Sequence, residues 1–146
     1  MDALCTKSAT ELADLIKKNE TSSKEVVEAH LNRISEINPE VNAITLTLEE
    51  TALEAAQKAD NASDEDRKKP FHGVPFTIKE NIDFKGTPTT QGVPLLAESM
   101  PPRYAPIVDR MMDAGAIPIG RTNLPEMGMR LDTCRLYTSP SPRDRG

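Results

Sequence analysis

The chain has 146 residues, 37% hydrophobic and 28% charged, a balance and length that suit one soluble globular domain with a buried core. Its net charge of −5 argues against a basic nucleic-acid groove and against an anionic membrane surface, so neither nucleic acid nor membrane is expected as a partner. Two cysteines, Cys5 and Cys134, lack a CxxC spacing, and two histidines, His30 and His72, stand far apart, so no disulfide framework, metal site or cofactor is expected. There is no run of about 18 apolar residues and no charged leader at Met1-Asp2-Ala3-Leu4, which makes a reducing cytoplasm the default location.

Residues 1–69 contain no glycine and only Pro39, whereas residues 70–133 contain 6 glycines and 9 prolines, so a helical leader should give way to strands and turns. Ser8 followed by Glu11 has the spacing of a capping box, and Leu12, Leu15 and Ile16 then form a helical stripe. Ser22 and Glu25 repeat that start. Val26, Val27, His30, Leu31, Ile34 and Ile37 continue one face until Asn38-Pro39, where the helix should stop. Ile44–Leu48 alternates as a half-buried strand, and the Ala-rich stretch 49–62 predicts a close-packing third helix. Residues 61–69 read as a solvated linker.

In the second region, Val74–Lys79 is a strand candidate, followed by a turn-rich stretch over 83–92. Pro106 at the favoured first position opens a helix that Gly115 should end. Ile117–Gly120 reads as a short buried strand, and Leu124-Pro125-Glu126 as the opening of another helix. Strand, helix, strand, helix predicts an α/β fold. The strands from Val74 and Ile117 are expected to present unpaired edges.

Lys79 ends the run Gly73-Val74-Pro75-Phe76-Thr77-Ile78. In a strand, Phe76 and Ile78 share one face and Thr77 and Lys79 the other. A lysine closing an apolar strand can be partly desolvated and act as a neutral base, which then needs a hydroxyl to deprotonate. Local composition by itself favours a simpler reading, in which Lys79 leaves the sheet to pair with Glu80 or Asp83 in solvent.

The stretch F-H-G-V-P-F-T-I-K-E-N-I-D-F-K-G-T-P-T-T-Q-G, residues 71–92, resembles the catalytic-lysine block of amidase-signature enzymes. A-G-A-I-P-I-G-R-T-N-L-P-E-M-G-M, residues 114–129, resembles the next block in the same order, and S-S-K-E-V-V-E-A-H-L-N-R-I resembles the family's helical leader. The resemblance implies an α/β/α fold with a mixed central sheet, preceded by N-terminal helices. It also implies amide hydrolysis by a Ser–cis-Ser–Lys triad, with Lys79 as the lysine and a small-molecule amide as substrate. Residues 1–133 would then be the N-terminal part of one amidase domain. The family's G-G-S-S-G-G segment and nucleophile have no counterpart here, since Ser139 and Ser141 sit between prolines. Residues 134–146 are therefore expected to be unrelated or disordered sequence, and the chain itself inactive. A glutaminase subunit of a tRNA-dependent amidotransferase is the alternative activity, an inert fragment a third reading, and a homodimer is left open for the complete protein.

The resemblance also places Gly128 and Met129 near the substrate pocket, where a glycine admits close approach and a methionine adapts to apolar groups; Met129 as ordinary core filler stays open. Thr89-Thr90-Gln91-Gly92 resembles a family turn near the site, and is equally readable as a turn satisfied by threonine hydroxyls. Met111 and Met112 read as core or interface, and His30 and His72 as structural.

Overall fold

Ser8 and Ser22 each open a helix by the same chemistry. In the computed structural model of the chain, which describes residues 2–129, the Glu11 carboxylate accepts from the Ser8 N–H at 2.7 Å while the Ser8 hydroxyl accepts from the Glu11 N–H, starting α1 (Ala9–Lys17). Glu25 accepts from the Ser22 N–H at 2.8 Å and starts α2 (Ser23–Val41) in the same way. The stripe on α1 buries Leu12 and Ile16 against Val26 and Val74. A second side of α2, Val27 and Leu31, packs on Ala52 and Ala56 of α3 (Glu49–Asp60). Those small residues let the two helices approach closely, in keeping with the Ala-rich sequence.

Helix α2 does not stop at Asn38-Pro39. Pro39 lies inside its last turn, where the missing N–H removes one hydrogen bond. The Asn42 N–H still reaches the Asn38 carbonyl at 2.7 Å. The Asn38 side-chain amide also donates to the Ile44 carbonyl at 2.9 Å and accepts from the Ile44 N–H at 2.8 Å, tying the helix end to the next strand. Asn42, with φ of 48°, ends the helix in the left-handed conformation.

Three strands, β1 (Ile44–Thr47), β2 (Pro75–Lys79) and β3 (Ile117–Thr122), form a mixed sheet in the order β1-β3-β2. β3 is antiparallel to β1 and parallel to β2, and α4 (Pro106–Asp113) makes the crossover between β2 and β3. The strand from Ile117 does not present the free edge expected of it. It is paired on both sides, because β1 returns from the helical leader to occupy one of them. Ile117 and Ile119 pack on α2 and α3. Pro75 pairs with Ile117, so Ile78, three residues on, points to the opposite face, where it packs with Phe84 and with Val108 of α4. Helices therefore cover both faces of the sheet.

Gly115 follows α4 with φ of 92°, and a Cβ there would lie 2.8 Å from His72 Cα, so the chain can return to β3 at this point only with glycine. Residues 61–69 are mostly exposed, with Arg67 as the tether: its guanidinium donates to Asn19 Oδ1 at 2.9 Å and to the Asp60 carbonyl. The helix expected from Leu124-Pro125-Glu126 is only a single 3₁₀ turn, Glu126–Gly128. Met127 in it has φ of 52°, which an α-helix does not accept. Residues 134–146 lie outside the described residues. Among the described residues no helix is long and apolar enough to cross a membrane.

Candidate active site

In open α/β sheets, ligands gather beyond the carboxyl ends of parallel strands. Here those ends are Lys79 on β2 and Thr122 on β3, directly paired in register, with the Glu80 N–H extending the ladder to the Thr122 carbonyl at 3.1 Å. Lys79 lies four residues beyond Pro75 and so returns to the sheet face of Ile117. Thr77 and Lys79 are exposed and Ile78 is 2% exposed, the alternation expected of this strand. The desolvation anticipated for Lys79 is not met among the described residues. It closes a strand flanked on one side only, and its side chain remains in solvent.

The chain turns sharply after Lys79, with the Ile82 N–H donating to the Lys79 carbonyl at 2.9 Å. Arg121, next to the end of β3, braces this turn from inside the fold. Its side chain is 1% exposed; Nη2 donates to the Glu80 carbonyl at 3.2 Å and Nη1 to the Thr87 hydroxyl at 2.8 Å. The Thr87 hydroxyl in turn donates to the Phe84 carbonyl at 3.2 Å. Burial pushes the guanidinium below its ordinary value, opposed by the charges of Glu80 and Asp83. Among the described residues Arg121 Nε is buried without a hydrogen-bond partner.

Two further loops meet at the same end of the sheet. The Met127 N–H donates to the Gln91 carbonyl at 2.8 Å, and the ideal Cβ position of Gly92 lies 2.8 Å from the Leu124 carbonyl oxygen. Backbone therefore touches backbone where Thr89-Thr90-Gln91-Gly92 crosses the segment after β3. Gln91 (φ 53°) and Met127 (φ 52°) both hold the left-handed conformation, which costs non-glycine residues energy and tends to collect at functional sites. Thr90 satisfies the turn, its hydroxyl accepting from the Gly92 N–H at 3.2 Å, while the Thr89 hydroxyl is buried without a partner among the described residues. Gly128 and Met129 follow directly, and Met129 is 79% exposed, which excludes core filling as its role within the described residues. No hydrogen bond joins Lys79 to Gly128 or Met129 among the described residues.

The histidines have structural roles. His72 is buried, with Nε2 at 3.1 Å from the Ala59 carbonyl, and His30 Nδ1 lies 2.8 Å from the Val26 carbonyl. Met112 packs in the cluster around Ile78. A surface cleft of about 420 Å³ near the start of α2 is lined by Asn19, Asp60, Arg67 and His72, but these polar groups are already engaged with one another or with main chain. Among the described residues no three His, Cys, Asp or Glu side chains are grouped to hold a metal ion.

The bracing roles of Arg121 and Thr87 are not evident from the sequence. The available signal is a charged residue inside the otherwise apolar strand I-P-I-G-R-T. An arginine is seldom fully buried unless something nearby holds it.

The layered mixed α/β fold matches that of amidase-signature enzymes. The chain belongs to the amidase family: the family model described as Amidase matches residues 25–143. It is similar to indoleacetamide hydrolase of Bradyrhizobium diazoefficiens, 43% identical over 84% of this chain and 24% of that protein. It is also similar to a glutamyl-tRNA(Gln) amidotransferase subunit of Caldanaerobacter subterraneus subsp. tengcongensis, 35% identical over 92% of this chain and 28% of that protein. Among solved structures, fatty acid amide hydrolase superposes with a TM-score of 0.88 at 29% identity, covering 95% of this chain and 25% of that one. The chain thus spans about a quarter of the length of the relatives it matches.

Proposed function

We propose that this chain is the N-terminal part of an amidase that hydrolyses carboxamide C–N bonds through an acyl-enzyme, with Lys79 as the base. The supporting observation is the position of Lys79: it closes β2 beside Thr122, at the carboxyl end of parallel strands, inside the block that resembles the family's lysine segment. Its amine takes a proton from a bridging serine, which takes one from the nucleophilic serine; that serine attacks the carbonyl, the proton passes back to the substrate nitrogen as it leaves as a neutral amine, and water then releases the acid. Both serines belong to the part of the protein beyond this chain, so the 146 residues alone are inactive. No metal or organic cofactor takes part in this scheme. Gly128 and Met129, exposed beside the left-handed Met127, border the substrate pocket. Residues 1–133 form part of one domain. The complete protein works in the cytoplasm without nucleic acid or membrane, and the scheme is compatible with a homodimer while requiring no second copy.

The test is a panel of indoleacetamide, a fatty acyl amide and glutamine, offered to the complete protein and to its Lys79→Ala and Lys79→Met variants. Turnover that disappears in both variants is expected. Undiminished turnover in Lys79→Met refutes the role given to this residue.

A second reading has its own support. The similarity to the amidotransferase subunit extends over 92% of the chain, more than the 84% matched by indoleacetamide hydrolase. Glutaminase activity that emerges only when a partner protein is added would select it.

A further inference from the structure

We infer that Arg121 is a positioning residue for Lys79, acting by clamping both ends of the loop that follows it; this rests on the reading of Lys79 as the base. Lys79 is the last residue of β2, and the backbone immediately after it is what fixes where its side chain starts. The ladder reaches one residue further, to Glu80, and the chain then reverses through the Ile82-to-Lys79 hydrogen bond. Nothing else in the regular sheet holds the next residues, because β2 has β3 on one side only among the described residues.

Arg121 supplies that hold from the neighbouring strand. It pairs with Ile78 in the β2–β3 register, so its side chain leaves the sheet on the face opposite Lys79 and passes beneath the loop. One arm of the guanidinium takes the Glu80 carbonyl, at the start of the loop, and the other takes the Thr87 hydroxyl, at its end. A planar fork with fixed donor directions sets the spacing of two acceptors in a way an ammonium on a flexible stem does not. The Thr87 hydroxyl passes the restraint on to the Phe84 carbonyl, and Phe84 is itself buried against Ile78 and Val108. The charges of Glu80 and Asp83 oppose the burial of the cation without cancelling it. The residue is thus held by the same loop it restrains, and the loop cannot drift without leaving a buried charge poorly satisfied.

The experiment uses the complete protein and the panel amide it turns over fastest. Lys79→Ala is measured first and is expected to be inactive. Arg121→Lys keeps the charge and loses the fork; kcat should fall roughly tenfold to a hundredfold with little change in KM, since displacement of a catalytic group by about 1 Å has effects of that order. Thr87→Val removes one acceptor with little change of shape and should lower kcat several-fold in the same sense. In parallel, hydrogen exchange of the amides of residues 80–87 should accelerate in both variants, while α2 and α3 keep their protection; this needs no turnover and shows whether Arg121→Lys still folds. If Lys79→Ala is inactive while Arg121→Lys and Thr87→Val match the parent in kcat, the positioning role is wrong and the base assignment stands. If Lys79→Ala is active, the base assignment is wrong and the positioning role goes with it. Unchanged exchange over 80–87 in both variants overturns the clamp directly.

Discussion

The carboxylate of Asp60, at the end of α3, accepts from the Ser23 N–H at 2.7 Å and from the Lys24 N–H at 3.1 Å, so the last residue of one helix caps the first turn of another. Two of the N–H groups that a helix start leaves unpaired are satisfied across 37 and 36 residues of sequence, and the carboxylate lies where the helix dipole favours negative charge. Asp60→Ala should lower the stability of the complete protein by about 1–2 kcal/mol, read as a fall in the urea midpoint. Asp60→Asn keeps an acceptor and should recover part of it. A midpoint unmoved in Asp60→Ala would mean the contact does not hold α2 and α3 together.

The capping boxes make stability fall in acid. Glu11 lies below its ordinary value of 4.5 because the backbone N–H of Ser8, and then its hydroxyl, donate to the charged carboxylate. Glu25 is lowered by the backbone N–H of Ser22, then by the hydroxyls of Thr21 and Ser22. A carboxyl lowered in the folded state contributes stability that is fully present above its unfolded value and is lost as pH falls through its folded one. The window therefore begins near 4.5 and extends downward. In a Glu11→Gln, Glu25→Gln double variant the neutral side chains lack the charge-dependent part of that contribution, so stability at neutral pH should fall while stability in strong acid changes little. The slope of stability against pH below that point should flatten. An unchanged slope would place the acid sensitivity elsewhere.

Local chemistry is legible in the sequence where the relevant atoms are neighbours along the chain. Ser8 with Glu11 and Ser22 with Glu25 announce both helix starts, Pro106 and Gly115 bracket α4, and the alternation Phe76, Thr77, Ile78, Lys79 puts the lysine on its own face. What cannot be read depends on distant partners. β1 is recognisable as a strand, but its neighbour β3 lies far along the chain, as in the Thr45 hydroxyl bond to the Arg121 carbonyl across 76 residues. The end of α2 falls later than Pro39 predicts because Asn38 and Asn42 offset the bond lost there. The turn at Met127 reads as a helix because composition does not report a positive φ, which is fixed there by the Gln91 carbonyl holding the Met127 N–H. The exposure of Lys79 has the same origin: strand position is local, whereas burial depends on what covers the strand end.

The Gly92 contact makes the crossing of the two site loops testable. With φ of 70° and an ideal Cβ position 2.8 Å from the Leu124 carbonyl and 3.3 Å from the Glu126 N–H, alanine at this position meets backbone on two sides. The segment after β3 would have to move outward, taking Met127, Gly128 and Met129 with it. Gly92→Ala should therefore reduce kcat/KM of the complete protein by about tenfold or more. Gly86→Ala is the control, since its φ of 92° carries a comparable backbone penalty but a Cβ there meets nothing within 4 Å. Equal losses in the two variants would show that backbone strain, and not the crossing of the loops, sets the effect.

The isolated chain should not behave as an independent folding unit. β2 has a neighbour on one side only among the described residues, and it is the strand that carries Lys79. An unpaired parallel edge leaves a row of N–H and C=O groups open to pairing with another chain. Around the fold, Leu95 is 91% exposed, Met129 79%, Ile107 57% and Met100 56%. The three buried clusters are small and separate, each drawing on a different set of elements, so loss of one need not bring down the others. Residues 1–146 expressed alone should give a broad thermal transition, bind a hydrophobic dye at neutral pH, associate with rising concentration, and release no ammonia from any amide of the panel. A sharp, concentration-independent melt of a monomer would show that these 146 residues suffice as a domain. Amide turnover lost on Lys79→Ala in that same monomer would show further that the hydroxyls Lys79 serves lie within these 146 residues.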